Sequence, residues 1–337
     1  MGAKNILILG NGFDLAMGRK TSYQDFLDFV KYEMSNEVSY FKEYHKIDIE
    51  EKEVYKKLDR EMLFYRPKEN QFLRFMYENQ IALGENWCDI EHNIAKLVKG
   101  LVAIRDNKRI NNISEKYIDK YWTNGDTEID RFQNFEFLNQ RFLSSLNDLT
   151  DLLELYLTYQ DFIDFDNDTT RIKKQPTILD EVKNIKESKV LTFNYTNTAN
   201  EILGIPDENT HFIHGRINSD RKLSPINTMV FGIEDENVDI DTDLMPYQKY
   251  YQRIVKETGN DYEEFFNNDG THIKNIIIFG HSIDPLDKEI FLNCFELAKK
   301  GNDKYKFIVS YYSELDKRSI IKNLVIILGK NEVIDLT

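Results

Sequence analysis

The sequence predicts an α/β fold with a doubly wound, mainly parallel sheet and a large helical insertion. Several short runs rich in Val, Ile and Phe are apolar throughout, which is typical of strands buried on both faces. Segments with helical spacing lie between these runs, as expected when parallel strands are joined by helices. The predicted strands are NILIL near the start, followed by KVLTFN, THFIHG, TMVFGI, NIIIFG, YKFIVSYY and LVIILG.

The first strand opens a β-α unit. NILIL is followed by a glycine turn and by a helix from Tyr23, in which Phe26, Leu27 and Val30 recur at helical spacing. We expect this strand to join the later strands in one sheet, with the helical insertion following it. Further helices are predicted near residues 197–203, 245–257, 286–299 and 314–322.

The segment from about residue 35 to residue 185 has an almost wholly helical pattern. Apolar residues recur on one helix face at Ile90, Ile94, Leu97, Val98, Leu101 and Ile104, and on another at Phe135, Leu138, Phe142, Leu149 and Tyr156. KEYHKIDIEEKEVYKKLDREM predicts solvated helix faces, and DFIDFDNDTTRIKKQP predicts a linker or loop. We therefore predict an α/β nucleotide-binding domain from 1–34 and 186–337, and a helical subdomain over 35–185.

Composition excludes several classes of protein. The 337 residues include 44 Lys and Arg against 58 Asp and Glu, a net charge of −14 that disfavours general nucleic-acid binding. The two cysteines, Cys88 and Cys294, can form neither a disulfide framework nor a four-thiolate zinc site. No apolar stretch approaches the ~20 residues of a membrane helix. We expect a cytoplasmic protein that does not contact the membrane.

The first candidate site is the glycine turn after NILIL. Gly10 and Gly12 stand at the carboxyl end of a buried strand, where backbone N–H groups can approach a phosphate. The third glycine of the usual dinucleotide fingerprint is replaced by Leu15, and Gly18 follows instead. A tight turn accounts for a lone G-x-G equally well. Asp14 fits either a helix cap or a ribose contact.

Two later strands also end in polar residues. LTFNYTNT places Asn194, Tyr195 and Thr196 at the edge of the sheet that binds ligands in open α/β folds. THFIHG places His214 at a strand end, although a buried core histidine is an alternative. His211 offers only a pair with His214, without a third ligand nearby in the sequence, so we expect no metal.

A fourth strand end carries Gly280, His281 and Ser282, followed by Asp284 and Asp287. Capping of the following helix explains Asp284 and Asp287, but not His281 and Ser282. Since the carboxyl ends of parallel strands share one edge, these four segments are expected to converge.

These residues resemble the bacteriophage abortive infection AbiH family. The resemblance spans GNGFDLAMGRKTSYQDF, NWCDIE around Trp87 and Glu91, VLTFNYTNT, FIHGRI and IIIFGHSIDPLDKEI. Such proteins are in turn distantly similar to sirtuin-type NAD-binding proteins, which implies a sirtuin-like or Rossmann-like sheet. Sirtuin deacetylases carry a four-cysteine zinc module that two distant cysteines cannot build, and Asp14 and Lys20 here replace Ser and Pro.

The resemblance implies a site for a nucleotide. It implies catalytic roles for Asn194 and His214. We also predict a catalytic role for Asp14, because Asp14 or Asp287 could stabilise the positive charge that develops on the ribose. The resemblance implies nucleotide-binding roles for Gly10, Gly12, Gly280 and Ser282, and we also predict nucleotide binding by Asn11, Phe13, Thr21, Tyr195, His281 and Asp287.

The implied function is anti-phage defence by hydrolysis of the N-glycosidic bond of NAD, or of a related nucleotide, as substrate. Two alternatives stay open: a non-catalytic nucleotide sensor that signals to a partner, and a metal-dependent nuclease using Asp284, Asp287 and Glu91. A phage-derived trigger of unknown identity and a homo-oligomer are the other expected partners.

Overall fold

A computed structural model describes residues 5–35, 67–109, 111–123, 125, 127–165, 172, 175–218, 228–233, 241–266, 274–300 and 305–336. Its strands are β1 (Asn5–Leu9), β2 (Lys189–Thr192), β3 (Thr210–Phe212), β4 (Lys274–Phe279) and β5 (Tyr305–Val309). Its helices are α1 (Asn11–Ala16), α2 (Tyr23–Ser35), α3 (Gln71–Glu78), α4 (Gln80–Leu83), α5 (Ile90–Arg105), α6 (Ile113–Asp119), α7 (Glu128–Phe165), α8 (Thr198–Leu203), α9 (Lys249–Val255), α10 (Lys288–Lys300), α11 (Glu314–Leu328) and α12 (Lys330–Leu336).

The strands form an all-parallel sheet in the order β3-β2-β1-β4-β5. Leu7 of β1 is in register with Val190 of β2 on one side and with Ile277 of β4 on the other. The chain thus builds the sheet outward from β1 in both directions, and the strand order reverses beside β1. Ligands of open α/β sheets bind at the carboxyl ends of strands next to such a reversal.

Both faces of the central strands β1, β2 and β4 are largely buried, as the uninterrupted apolar runs predict. Ile6 and Ile8 of β1 belong to one core cluster with Leu191 and Phe291, and the alternate residues Leu7 and Leu9 belong to a second. Successive side chains of a strand point to opposite faces, so an all-apolar strand places hydrophobic groups in both layers.

The helical pattern in the middle of the chain is also confirmed. All six apolar residues predicted on one face of α5 are buried, and so are the five predicted on α7. The side chain of Asp89 caps α5 by accepting a hydrogen bond from the backbone N–H of His92, at 3.0 Å.

Two predicted strands are wrong. The run TMVFGI is buried but is not a strand, and the backbone N–H and C=O of Phe231 bond to the side-chain amide of Gln252 instead, at 3.0 and 2.9 Å. The run LVIILG belongs to the end of α11, which extends six residues beyond the predicted end at 322. Ile327 of this run is buried, whereas Val325 and Ile326 are exposed.

The predicted linker is partly wrong as well. Its first residues, DFIDF, are the last turn of α7, which continues to Phe165. Residues 166–171 and 173–174 of the linker lie outside the described residues, as does the predicted charged segment KEYHKIDIEEKEVYKKLDREM.

The chain divides into two compact units. One contains the sheet and consists of 1–21, 160–219 and 256–337; the other is mainly helical and consists of 22–159 and 220–255. These boundaries differ from the predicted 34/35 and 185/186, because α2 and α9 group with the helical unit, and the end of α7 groups with the sheet. None of the helices among the described residues has the length and apolar character needed to span a membrane.

Candidate functional site

Two glycine turns meet at the carboxyl ends of β1 and β4. The N–H of Gly12 donates to the carbonyl of Gly280 at 2.8 Å, and the N–H of Gly10 donates to the carbonyl of Phe279 at 3.1 Å. A Cβ atom on Gly280 would stand 2.2 Å from the backbone nitrogen of Phe13, and a Cβ on Gly12 would stand 2.7 Å from the Cα of Gly280. Glycine is therefore required here for close approach of two backbones.

This packing changes the interpretation of the G-x-G turn. The sequence predicts that the N–H groups of Gly10 and Gly12 face a phosphate, but both are bonded to the end of β4. The N–H of Phe13 is also engaged, with the carbonyl of Gly10 at 2.9 Å. The tight-turn alternative accounts for the glycines.

Asn194 follows β2 and fixes the shape of the first turn. Its side-chain amide donates to the carbonyl of Gly10 at 3.1 Å and to Oδ1 of Asp14 at 2.9 Å. The hydroxyl of Thr196 donates to the other carboxylate oxygen of Asp14. The strand ends after β1 and β2 therefore converge as predicted, through a polar network in which Asn194 is 7% exposed and Asp14 is 1% exposed.

Asp14 neither caps a helix nor faces solvent. Gly10 stands at the cap position of α1, and Asp14 is buried within the first turn. Burial raises the pKa of its carboxyl, against the lowering effect of Arg19 and of hydrogen bonds from Thr196 and Asn194. The predicted catalytic role of Asp14 thus has to be reconciled with a carboxylate whose two oxygens already accept hydrogen bonds.

Arg19 is the functional candidate that sequence reasoning missed. Its Nε donates to Asp164 at 2.8 Å, one terminal nitrogen donates to Asp161, and the other donates to the hydroxyl of Thr198. The terminal nitrogen that donates to Thr198 also lies 3.9 Å from Oδ2 of Asp14. Arg19 stands inside the motif GNGFDLAMGRKTSYQDF, but its aspartate partners on α7 are more than 140 positions away, which no local pattern reveals.

His214 and Asp287 bring together the segments after β3 and β4. Nε2 of His214 lies 3.1 Å from Oδ1 of Asp287, and the two side chains are 7% and 10% exposed. Nε2 of His281 lies 3.6 Å from the second oxygen, Oδ2, of the same carboxylate. A histidine paired with a carboxylate in a sheltered position is a common general base.

Two phenylalanines enclose these imidazoles. The ring of Phe193 lies 5.5 Å from that of His214 and 4.3 Å from that of His281, centroid to centroid and edge to face. Phe291 stacks on Phe193 at 5.5 Å and contacts His281 edge to face at 5.0 Å. Phe193, which directly precedes Asn194, was also missed, because an apolar residue at a strand end is expected in any core.

The other predicted nucleotide-binding residues lie around this edge or within the core. The hydroxyl of Thr21 donates to the side-chain oxygen of Asn11 at 3.0 Å, at an exposed position beside the first turn. Phe13 and Tyr195 are buried. Ser282 is exposed, and its carbonyl accepts from the side chain of Asn323 at 3.1 Å.

The sequence offered two sets of candidate metal ligands: the pair of His211 and His214, and the nuclease residues Asp284, Asp287 and Glu91. The parts of the chain that the structure describes contain no group of three or more His, Cys, Asp or Glu placed to hold a metal ion. His211 lies on β3 and packs against Tyr262, with ring centroids 5.3 Å apart. Glu91 belongs to the helical unit, where its carboxylate pairs with Nζ of Lys249 at 3.0 Å and accepts from the hydroxyl of Tyr23 at 3.3 Å.

The sequence model of the family described as bacteriophage abortive infection AbiH matches residues 6–311. The chain belongs to the AbiH family. The match includes both glycine turns, Asn194, His214 and Asp287, so the convergent segments lie inside the AbiH region. Membership gives this AbiH protein a role in anti-phage abortive infection. Comparisons with curated proteins and with solved structures found no match, and the likeness to sirtuins stays a prediction.

Proposed function

We propose that this AbiH protein hydrolyses the N-glycosidic bond of NAD, or of a related nucleotide, and so depletes it during phage infection. The observation that carries the proposal is the bond between His214 and Asp287, 3.1 Å long, at the edge where α/β sheets bind ligands. AbiH membership supplies the biological setting. The same edge presents polar side chains that follow β1, β2, β3 and β4.

The reaction needs a base and a site that admits one water molecule. Cleavage of the bond between ribose C1′ and the nicotinamide nitrogen leaves the electron pair on that nitrogen, so that neutral nicotinamide departs and the ribose becomes oxocarbenium-like. Water attacks C1′ and gives up a proton, which His214 accepts; the products are nicotinamide, ADP-ribose and a proton. Asp287 orients the imidazole and stabilises its protonated form.

The buried residues of the site act as its frame. Asn194 and Asp14 hold the first glycine turn through their mutual bond and the bond to Gly10, which assigns them positioning roles in this proposal. Asn11, which is exposed, and Thr21, which is half-buried, are then the side chains that would contact ribose or phosphate.

A non-catalytic nucleotide sensor is the second candidate. It is favoured by the internal bonding of the N–H groups of Gly10 and Gly12, which removes two donors expected to hold the pyrophosphate of a reacting dinucleotide. A sensor would bind a nucleotide or a phage product at the same edge and signal to a partner.

Release of nicotinamide from NAD, measured by chromatography, tests the proposal. We expect turnover by the wild type and a loss of roughly 10²- to 10⁴-fold in His214→Ala, because a positioned general base contributes about that much. Asp287→Asn should also lose activity, since an amide cannot stabilise an imidazolium. His92→Ala, an exposed histidine of the helical unit, is the matched control and should keep wild-type activity.

Three other outcomes would contradict the proposal. NAD binding without turnover, even with phage lysate added, supports the sensor. Equal turnover in the wild type, Asn194→Ala and His214→Ala, with unchanged circular dichroism, removes these residues from catalysis. Magnesium-dependent loss of nucleic acid, abolished in Asp287→Ala but retained in His214→Ala, supports the nuclease.

A further inference from the structure

The loop after β4 contains two residues with positive φ, one of which is not a glycine. Gly280 has φ of +67° and Ile283 has φ of +53°. The first value is unremarkable for glycine, but a β-branched residue rarely adopts the left-handed region. Such residues persist only where the surrounding structure fixes them, and they concentrate at functional sites.

Two contacts fix Ile283 in this conformation. Its side chain is fully buried among the core residues that include Phe291 and Phe295. Its backbone N–H donates to Nδ1 of His281 at 2.8 Å. The strained residue therefore orients the imidazole that stands two positions before it.

The hydrogen bond from Ile283 also fixes the tautomer of His281. A backbone N–H can only donate, so Nδ1 of His281 is an acceptor and carries no proton. In a neutral imidazole the proton then resides on Nε2. This Nε2 is the atom that lies 3.6 Å from Oδ2 of Asp287.

Asp287 is thus placed between two imidazoles. Nε2 of His214 lies 3.1 Å from Oδ1 and Nε2–H of His281 faces Oδ2. The distance of 3.6 Å is too long for a hydrogen bond, so His281 acts on the carboxylate through its N–H dipole. The phenylalanine rings of Phe193 and Phe291 lie against His281 and leave its side chain 7% exposed, so the interaction is weakly screened by water.

We propose that His281 is a positioning residue that acts through Asp287: locked as the Nε2–H tautomer by the amide of Ile283, it holds the carboxylate that orients His214. The effect of His281 on turnover rests on the proposed function, whereas the tautomer of His281 and its contact with Asp287 do not. Without His281, the Asp287 carboxylate loses this contact on its Oδ2 side, and we expect it to hold His214 less firmly.

Tautomers are read directly from long-range proton–nitrogen correlation spectra of the ¹⁵N-labelled protein at neutral pH. The chain has only six histidines, so single substitutions assign the signals. We expect His281 to have an unprotonated Nδ1 and a protonated Nε2 in the wild type. Asp287→Asn should shift the ring nitrogens of His281 and His214 and leave those of the exposed His92 unchanged.

A protonated Nδ1 on His281, in the neutral or the charged ring, would overturn the proposal. So would ring nitrogens of His281 that do not respond to Asp287→Asn while the variant keeps the wild-type circular dichroism. Because these readouts need no turnover, they decide the role of His281 even if the wild type releases no nicotinamide.

Two matched variants separate positioning from folding. His281→Asn places an amide oxygen near the position of Nδ1, so the amide of Ile283 keeps an acceptor, but the Nε2–H donor is lost. His281→Gln places an amide nitrogen near the position of Nε2 and loses the acceptor. If NAD is hydrolysed, we expect about a tenfold or greater fall in kcat with little change in KM for His281→Asn, and partial rescue in His281→Gln. Equal kcat in His281→Asn and the wild type contradicts the proposal.

Discussion

Gly280 and Gly329 both have positive φ, but only Gly280 is surrounded by backbone. A Cβ on Gly280 would lie 2.2 Å from the nitrogen of Phe13, whereas a Cβ on Gly329, at the end of α11, would meet nothing within 4 Å. The two positions therefore separate the cost of a positive φ from the cost of a backbone clash.

We expect Gly329→Ala to lower the free energy of unfolding by about 1 to 3 kcal/mol, because Gly329 has φ of +85° and ψ of +155°, a region that essentially only glycine adopts. Gly280→Ala should cost at least about 3 kcal/mol, because the ends of β1 and β4 must separate to admit the methyl group. Urea unfolding followed by circular dichroism measures both values. Similar losses in the two variants would show that the turns are not tightly packed in solution.

Asp161 gives the stability a defined pH dependence. Burial, reinforced by the carboxylates of Asp14 and Asp164, raises its pKa to about 6, although Arg19 opposes the shift. Since the ordinary pKa of an aspartate is lower, the folded state binds more protons than the unfolded state between about pH 4 and pH 6. The contribution of this group to stability therefore falls as pH rises through that window.

Asp161→Asn should remove this dependence. The unfolding free energy of the wild type, minus that of the variant, is expected to fall by about 2 kcal/mol between pH 4.5 and pH 7. Urea titrations at a series of pH values give this difference. A difference that rises with pH would mean that the ion pair with Arg19 outweighs burial and lowers the pKa.

At the scale of residues, the sequence predicts where a side chain lies better than it predicts which groups that side chain bonds to. The strand ends correctly placed Asn194 beside the first glycine turn, because carboxyl ends of parallel strands share an edge. The sequence could not show that its amide is bonded to Asp14, or that the glycine N–H groups are bonded to β4. Those bonds depend on the relative positions, to within about an ångström, of segments that are far apart in sequence.

At the scale of elements, Arg19 connects the end of α1 to the end of α7. Its guanidinium bonds to Asp161 and Asp164, and its side chain is fully buried. The long helix thereby gains a charged contact with the segment that follows the first glycine turn. This contact lies within the sheet unit, to which the last residues of α7 belong.

Arg19→Met should lower the free energy of unfolding by about 3 to 5 kcal/mol, because it leaves buried carboxylates without their counter-charge. Arg109→Met is the control, since Arg109 forms an exposed pair with Asp119 at 2.8 Å and should change stability by at most about 1 kcal/mol. Differential scanning calorimetry compares the two. Equal losses would indicate that the aspartates take up protons and need no arginine.

The two misassigned strands show where element prediction fails. A short apolar run fits a buried strand and a helix equally well, and LVIILG joined a helix because Ser313 caps α11 far upstream of it. TMVFGI failed for another reason: the side chain of Gln252 bonds the backbone of Phe231, and only Ile233 pairs with another segment, through an isolated bridge to Gln248. No feature of the run itself indicates these partners.

At the scale of the whole molecule, the sequence predicted the parallel sheet and the helical block, but not how the chain is shared between them. Residues 220–255 interrupt the sheet unit and group with the helices. The fold and the AbiH family follow from patterns and motifs, whereas the reaction does not, since folds of this kind host many chemistries. The His214–Asp287 pair supplies the additional chemical argument.

Because β1 lies in the middle of the sheet, the sheet can form only after strands much later in the chain have been synthesised. β1 ends at residue 9, while its neighbours β2 and β4 begin at Lys189 and Lys274. On the ribosome, therefore, the middle of the sheet cannot assemble before β4 has been synthesised, and Asp287 emerges later still. A chain terminated before β4 lacks the edge where the two glycine turns meet.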